Sequence, residues 1–267
     1  MPMIRHLTSA AYTVLLALLI TFSGCRGVKH LSVEKPRPEG LQITATRVEM
    51  DAGWDADPDP EVLAILAPYK AVVDSIMTPV VGRSALDMSA DRPESLLSNL
   101  IADVLREAAI PYLGHPADVA VVNMGGLRSS LSAGDITYGD IYEILPFENS
   151  LCLLTLTGST LKQLMENIAL AGGEGISNAR LVITSDGQLV SATVGGADIA
   201  DERRYVVATL DYLAEGNDKL SAFRQSEGRI CPEQATIRDI FLRYVQLLAE
   251  SGQEVTSRVD GRITIQE

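Results

Sequence analysis

Histidine is scarce: three in 267 residues. His6 lies near the start, His30 in a polar stretch, and His115 stands alone between Gly114 and Pro116. Two-metal hydrolases hold their ions with clusters of His and Asp, so a self-contained enzyme of that kind is poorly supported. Cysteine is equally rare at three, and no pair forms a CxxC. There is no Gly-x-Ser-x-Gly elbow and no Walker phosphate loop, so two common nucleophile and nucleotide frameworks are missing. Aromatic residues make up only 5%. Bases fall short of acids, 22 against 35, for a net charge of −13. Such a chain repels a phosphate polymer at long range, which argues against general nucleic-acid binding. A few arginines can still reverse the field inside one cleft, so small anionic ligands remain open. The acids Asp51, Asp55, Asp57 and Asp59 crowd together, but no glycine follows at calcium-loop spacing, and they read as a solvated linker.

What is present is ordinary globular composition, 46% hydrophobic and 21% charged, with enough chain for one large domain or two small ones. The first 24 residues read as an export signal: Arg5, then an apolar run from about Ser9 to Phe22 that is short for a spanning helix. The run ends in Phe22-Ser23-Gly24-Cys25, which resembles the bacterial lipoprotein processing box. That resemblance implies cleavage before Cys25, lipidation of its thiol and anchoring at a membrane surface; the alternative is an uncleaved N-terminal anchor helix. Arg26, rather than an aspartate, follows the cysteine, and by the same resemblance this points to the outer membrane. Residues 25–58 read as a polar, proline-dotted tether with one short strand at Leu41–Val48. The remaining cysteines, Cys152 and Cys231, could pair in an exported protein. Within Leu-Cys-Leu-Leu, however, burial of Cys152 as a small hydrophobe is the simpler reading.

Residues 59–267 read as the folded domain. Pro60–Met77 has helical apolar spacing interrupted near Pro68, and Arg92–Ile110 gives a cleaner amphipathic helix. Short strands are expected at Asp118–Asn123, Leu151–Leu156, Arg204–Leu210 and Arg262–Gln266. A hairpin turns through Ser185-Asp186-Gly187, and helices run to about Leu170 and over Gln234–Glu250. Helices and hairpins alternate without a βαβ rhythm, so the expected fold class is α/β (α+β): a mixed β-sheet with flanking helices.

The informative stretch is Val119–Phe147. A strand runs into Asn123, then Gly125 and Gly126, then Arg128. Paired glycines after a strand allow close backbone approach and can form an anion-binding nest. Arg128 offers a planar fork for phosphate or carboxylate, and Asn123 offers both a donor and an acceptor. On its own, this reads as readily as a tight turn with one surface arginine.

Four motifs then follow in order: Asn-Met-Gly-Gly-Leu-Arg (123–128), Ala-Gly-Asp-Ile-Thr-Tyr-Gly-Asp (133–140), Leu-Pro-Phe-Glu-Asn (145–149) and Leu-Thr-Gly-Ser-Thr-Leu-Lys (156–162). Glu94-Ser95 with Asn99–Asp103 lies upstream, and Ala208–Asp218 lies downstream. Together they resemble the C-terminal, substrate-binding domain of the 5′-nucleotidase family over about residues 60–266. The resemblance implies that Phe147 and Tyr212 sandwich a nucleobase, with both rings in the core as the bland alternative. It further implies that Asp218 accepts from ribose hydroxyls, Arg128 sits near the phosphate, and Asn123 contacts or orients the base. Arg92 stands one residue too early for the family's usual arginine and carries little weight. The late motif departs from the family's Gly-Gly-Asp-Gly: here it is Gly216-Asn217-Asp218-Lys219, in which Asn tolerates a left-handed backbone better than Lys does.

No metallophosphatase half accompanies these motifs, so no catalytic residue and no metal or other cofactor is expected in this chain. Divalent metals would belong to a separate metallophosphatase chain. The resemblance thus implies a nucleotide- or nucleoside-binding partner in metal-dependent phosphoester hydrolysis. The alternative is a non-catalytic nucleoside-binding or scavenging lipoprotein.

Overall fold

The computed structural model describes residues 45–49, 53, 59–233 and 235–266. The expected signal segment, Cys25 and most of the expected tether, including residues 41–44, lie outside the described residues; 45–49 are exposed and form no strand. The chain divides into two compact units, Met1–Asp57 and Pro58–Glu267, and the elements below belong to the second.

The unit opens with α1 (Pro60–Met77), N-capped by Asp59, whose carboxylate accepts from the amides of Glu61 and Val62. The interruption expected at Pro68 does not occur; the helix runs through it. No residue of this helix is buried, so water can satisfy the carbonyl that Pro68 leaves without an amide partner. A two-stranded antiparallel ribbon follows, β1 (Val80–Ser84) with β3 (Gly134–Thr137). The expected Arg92–Ile110 helix is shorter, α2 (Leu96–Glu107), and a separate turn α3 spans Ile110–Leu113. Ser95 and Ser98 form a reciprocal capping box that sets the start of α2.

The central sheet has five strands in the order β10-β4-β9-β2-β5. They are β2 (Val119–Val122), β4 (Leu151–Thr157), β5 (Gly175–Ser177), β9 (Arg204–Leu210) and β10 (Gly228–Ile230). Only β2 and β9 run parallel, with Val119 beside Val207 and Ala120 beside Ala208. A second sheet, β11-β6-β7-β8, carries the expected hairpin of β6 (Ala179–Thr184) and β7 (Leu189–Val194), with β8 at Ala197–Asp198. The C-terminal strand β11 (Ile263–Gln266) adds parallel to β6. The mixed α/β class is therefore as expected. Strands β2 and β4 are almost wholly buried because α2, α5 (Gly158–Leu170) and α7 (Ile237–Glu250) lay their apolar stripes on the core. The remaining helices are the short α4 (Tyr138–Ile144) and α6 (Asp211–Ala214).

Glu94, from the upstream motif, accepts from the side chain of Asn99 and the amides of Asp260 and Ile263, so that motif ties the C-terminal strand down. Arg262, almost buried, grips both carboxylate oxygens of Asp103 at 2.8 Å.

Cys152 is fully buried, as expected, but it is not a free thiol: it is bonded to Cys231. The cause is register. Strand β10 pairs with β4 so that Ile230 faces Leu153, which brings residue 231 opposite residue 152, with Cα atoms 4.2 Å apart. The closed loop spans 79 residues. Chain-entropy arguments make such a crosslink worth about 4 kcal/mol. Cys231→Ser is expected to lower unfolding free energy by roughly 2–4 kcal/mol in guanidinium melts, with reductant producing the same loss in the wild type but none in the variant.

Candidate functional site

Because β2 and β9 run side by side in the same direction, their carboxyl ends open on one edge of the sheet, where α/β sheets commonly place ligands. Strand β2 delivers Asn123 and a 3₁₀ turn, Met124–Gly126. Strand β9 delivers α6 and the loop to Lys219. The two meet directly: Nδ2 of Asn123 donates to Oδ2 of Asp218 at 2.6 Å, and the hydroxyl of Tyr212 donates to Oδ1 of the same carboxylate at 2.9 Å. This hydrogen bond to the Asp218 carboxylate, with the carboxylate's charge, raises the Tyr212 pKa above the usual phenol value.

Asn123 is only 5% exposed, and its Oδ1 is buried without a partner among the described residues. A bare acceptor of this kind is costly unless a ligand or water donates to it. A Cβ on Gly126 would sit 2.9 Å from that oxygen, so a larger residue there would require the Asn123 amide to shift; Gly125 has no such constraint. The glycines do not form the anion nest anticipated from sequence. Neither has positive φ, and the nearby amides are already committed: Met124 donates to Glu174, Gly126 to the Asn123 carbonyl and Leu127 to the Met124 carbonyl.

Phe147 lies beyond α4 and is 47% exposed; Tyr212 is 41% exposed. Neither ring is core. Phe147 and Asn123 share the rim of one small cavity of about 10 Å³, together with Gly126, Leu145 and Ile237. Arg128 reaches back to the Gly125 carbonyl at 3.3 Å, and its own amide donates to the Ile144 carbonyl, tying the glycine turn to the segment before Phe147. All seven residues singled out in the sequence thus converge on one sheet end. Two residues that the sequence reading missed hold them there. Arg238, 7% exposed on α7, donates to the carbonyls of Leu145 and Pro146 at 3.2 Å, pairs with Glu148 and stacks on Tyr142. Its only sequence signal is a charge beside Ile237 on an apolar helical stripe. Glu174 lies behind the Asn123 turn with no pattern to mark it.

A larger concavity of about 1100 Å³ opens between α2 and α7, lined by Leu100, Val104, Tyr112, Ile240, Tyr244 and Leu247 among others. It contains none of the seven residues. At the β2/β9 edge, convergent polar groups, rather than volume, mark the site out. No group of three or more His, Cys, Asp or Glu is placed to hold a metal among the described residues.

The fold and this edge define a class: a mixed α/β domain that gathers two exposed rings and an Asn–Asp–Tyr network where parallel strands end. A family model described as "5'-nucleotidase, C-terminal domain" matches residues 80–225, more than half of the chain, and the protein belongs to that family. It is 30% identical to Endonuclease YhcR of Bacillus subtilis (strain 168) over 196 residues, 70% of this chain and 16% of that protein. It is 33% identical to Protein UshA of Yersinia enterocolitica over 168 residues, 60% of this chain and 30% of that one. Among solved structures, the 5′-nucleotidase precursor from Thermus thermophilus superposes with a TM-score of 0.69 at 25% identity, covering 80% of this chain and 45% of that one. The chain therefore spans less than half the length of these relatives.

The departure at residues 216–219 is resolved in the backbone. Gly216, Asp218 and Lys219 have φ of 75°, 52° and 66°, whereas Asn217 does not enter the left-handed region. Asn217 instead donates to the Tyr212 carbonyl at 2.8 Å and braces the loop. Lys219 therefore carries the strain anticipated for a non-glycine side chain, on the order of 1 kcal/mol. Part of the gain from glycine is lost to unfolded-state entropy. Lys219→Gly is expected to stabilise the fold by about 0.5 kcal/mol in urea titration.

Proposed function

We propose that this chain is the nucleotide- or nucleoside-binding part of a 5′-nucleotidase-type phosphohydrolase, orienting substrate for hydrolysis carried out by a separate metallophosphatase chain. The observation that carries this reading is the Asn123–Asp218–Tyr212 network beside Phe147. A nucleobase stacks between Phe147 and Tyr212, an arrangement worth roughly 1–3 kcal/mol per ring contact. Asn123, whose Nδ2 donates to Asp218, orients that carboxylate toward the nucleoside. Asp218 uses its remaining lone pairs for ribose hydroxyls, and Arg128, at the rim, faces the phosphate. In the family this domain works beside an N-terminal metallophosphatase domain, which holds the divalent metals and the activated water. The contribution of this chain is placement of the scissile ester, which makes attack effectively intramolecular.

The same reading includes export. Cleavage before Cys25 and lipidation of its thiol anchor the protein at the outer membrane, facing nucleotides outside the cytoplasm. The Cys152–Cys231 bond supports this, since stable disulfides belong to oxidising compartments. The net charge of −13 favours mononucleotides over polymers as ligands.

Calorimetric titration with AMP and adenosine tests the site. Saturable binding is expected without metal, weakened about tenfold or more by Phe147→Ala and by Tyr212→Ala, with melting temperature little changed because both rings are exposed. Equal affinity in both variants would remove the stacking assignment.

A further inference from the structure

Glu174 is 2% exposed and sits directly behind the candidate site. One carboxylate oxygen accepts from the amide of Met124, the first residue after Asn123. The other is paired with the guanidinium of Arg92. Its backbone is held as firmly. Arg92 Nε donates to the Gly173 carbonyl at 2.8 Å, and Gly173, at φ 108°, packs so closely on Pro93 that a Cβ would lie 2.4 Å from the Pro93 carbonyl oxygen. Buried carboxylates are expensive to keep charged, and removing one partner of a buried pair leaves the others unsatisfied. The groups that Glu174 satisfies fix the turn that follows Asn123, so its charge acts on the geometry of the site.

We propose that Glu174 is a positioning residue for the nucleoside: its carboxylate locks the Asn123–Gly126 turn and Arg92 in the binding-competent arrangement. The inference rests on the functional reading above. Without the Met124 bond, the turn loses the anchor that aims the Asn123 amide at Asp218. Burial pushes the Glu174 pKa up, the Met124 amide and Arg92 pull partly against it, and the charge of Asp218 adds to the rise. Arg92 and Asp218 are the charged groups acting on it. The native state thus holds a proton on Glu174 more readily than the unfolded chain does. The resulting stability contribution falls as pH rises from the ordinary carboxylate range through the raised value.

The test uses adenosine, which has no phosphate to titrate in this range, with Glu174→Gln and Glu174→Leu in the whole protein. Both variants are expected to bind adenosine more weakly than wild type at pH 7, Gln by about threefold to tenfold and Leu by more. Gln, which keeps an acceptor for the Met124 amide, is expected to melt near the wild-type temperature at pH 7, whereas Leu, which leaves that amide and Arg92 unpaired, is expected to melt lower; wild type should gain on Gln as pH falls toward 4.5. Unchanged adenosine affinity in both variants would overturn the inference while leaving the nucleoside site standing. Affinity lost only in step with melting temperature would reduce Glu174 to a structural role. A wild-type protein that does not bind adenosine at all would overturn both readings together.

Discussion

The parallel pairing of Val119–Val122 with Arg204–Leu210 is the constraint on which the site depends. Val119 lies beside Val207, yet several strands and helices separate the two along the chain. Pairing these strands in the same direction brings two chain exits to one sheet edge. Asn123 leaves one strand and the 211–219 loop leaves the other, and the Asn123–Asp218 hydrogen bond closes the gap between them. Antiparallel pairing would have put the two exits at opposite ends of the sheet, and no choice of side chains could have brought Asn123 to Asp218.

Around that edge, charged residues are used as braces. Arg238 is buried under the Leu145–Glu148 segment and takes up two of its carbonyls. Arg262 binds Asp103 and the carbonyl of Ile176, securing the C-terminal strand beside the hairpin. Glu94 collects two backbone amides from the same C-terminal segment. Each of these groups converts a loop that would otherwise be free into one defined position. That is the requirement for a candidate site assembled from three separate stretches of chain, 123–128, 147 and 212–218. The strained Asp218–Lys219 pair has the same logic: left-handed backbone at these two residues turns the Asp218 carboxylate toward Asn123 and Tyr212.

Much of this was legible in the sequence, and for identifiable reasons. The long strands and amphipathic helices carry periodicity over six or more residues, so Arg204–Leu210 and the hairpin of Ala179–Thr184 with Leu189–Val194 are found almost residue for residue. The short strands Val80–Ser84, Gly175–Ser177 and Gly228–Ile230 carry neither a period nor a buried apolar run with turn signals around it. Their identity comes from partners distant in sequence. The disulfide was missed for the same reason, since it follows from the register of Gly228–Ile230 against Leu151–Thr157 and from nothing local to either cysteine. The seven site residues came from motifs, and the fold assembles all seven at one edge. Glu174 and Arg238 escaped because a residue that braces another leaves no motif of its own. The paired glycines were over-read: the Gly126 amide serves the turn, and only Gly126 packs closely on the Asn123 amide.

The central claim is that one nucleoside is held where the two parallel strands end. The most direct measurement is the crystal structure of the protein grown with adenosine. The adenine ring is expected between Phe147 and Tyr212, with the ribose at the Asp218 carboxylate that Asn123 orients. Adenosine seated instead in the apolar groove between Leu96–Glu107 and Ile237–Glu250, with the Asn123–Asp218 edge empty, would contradict it.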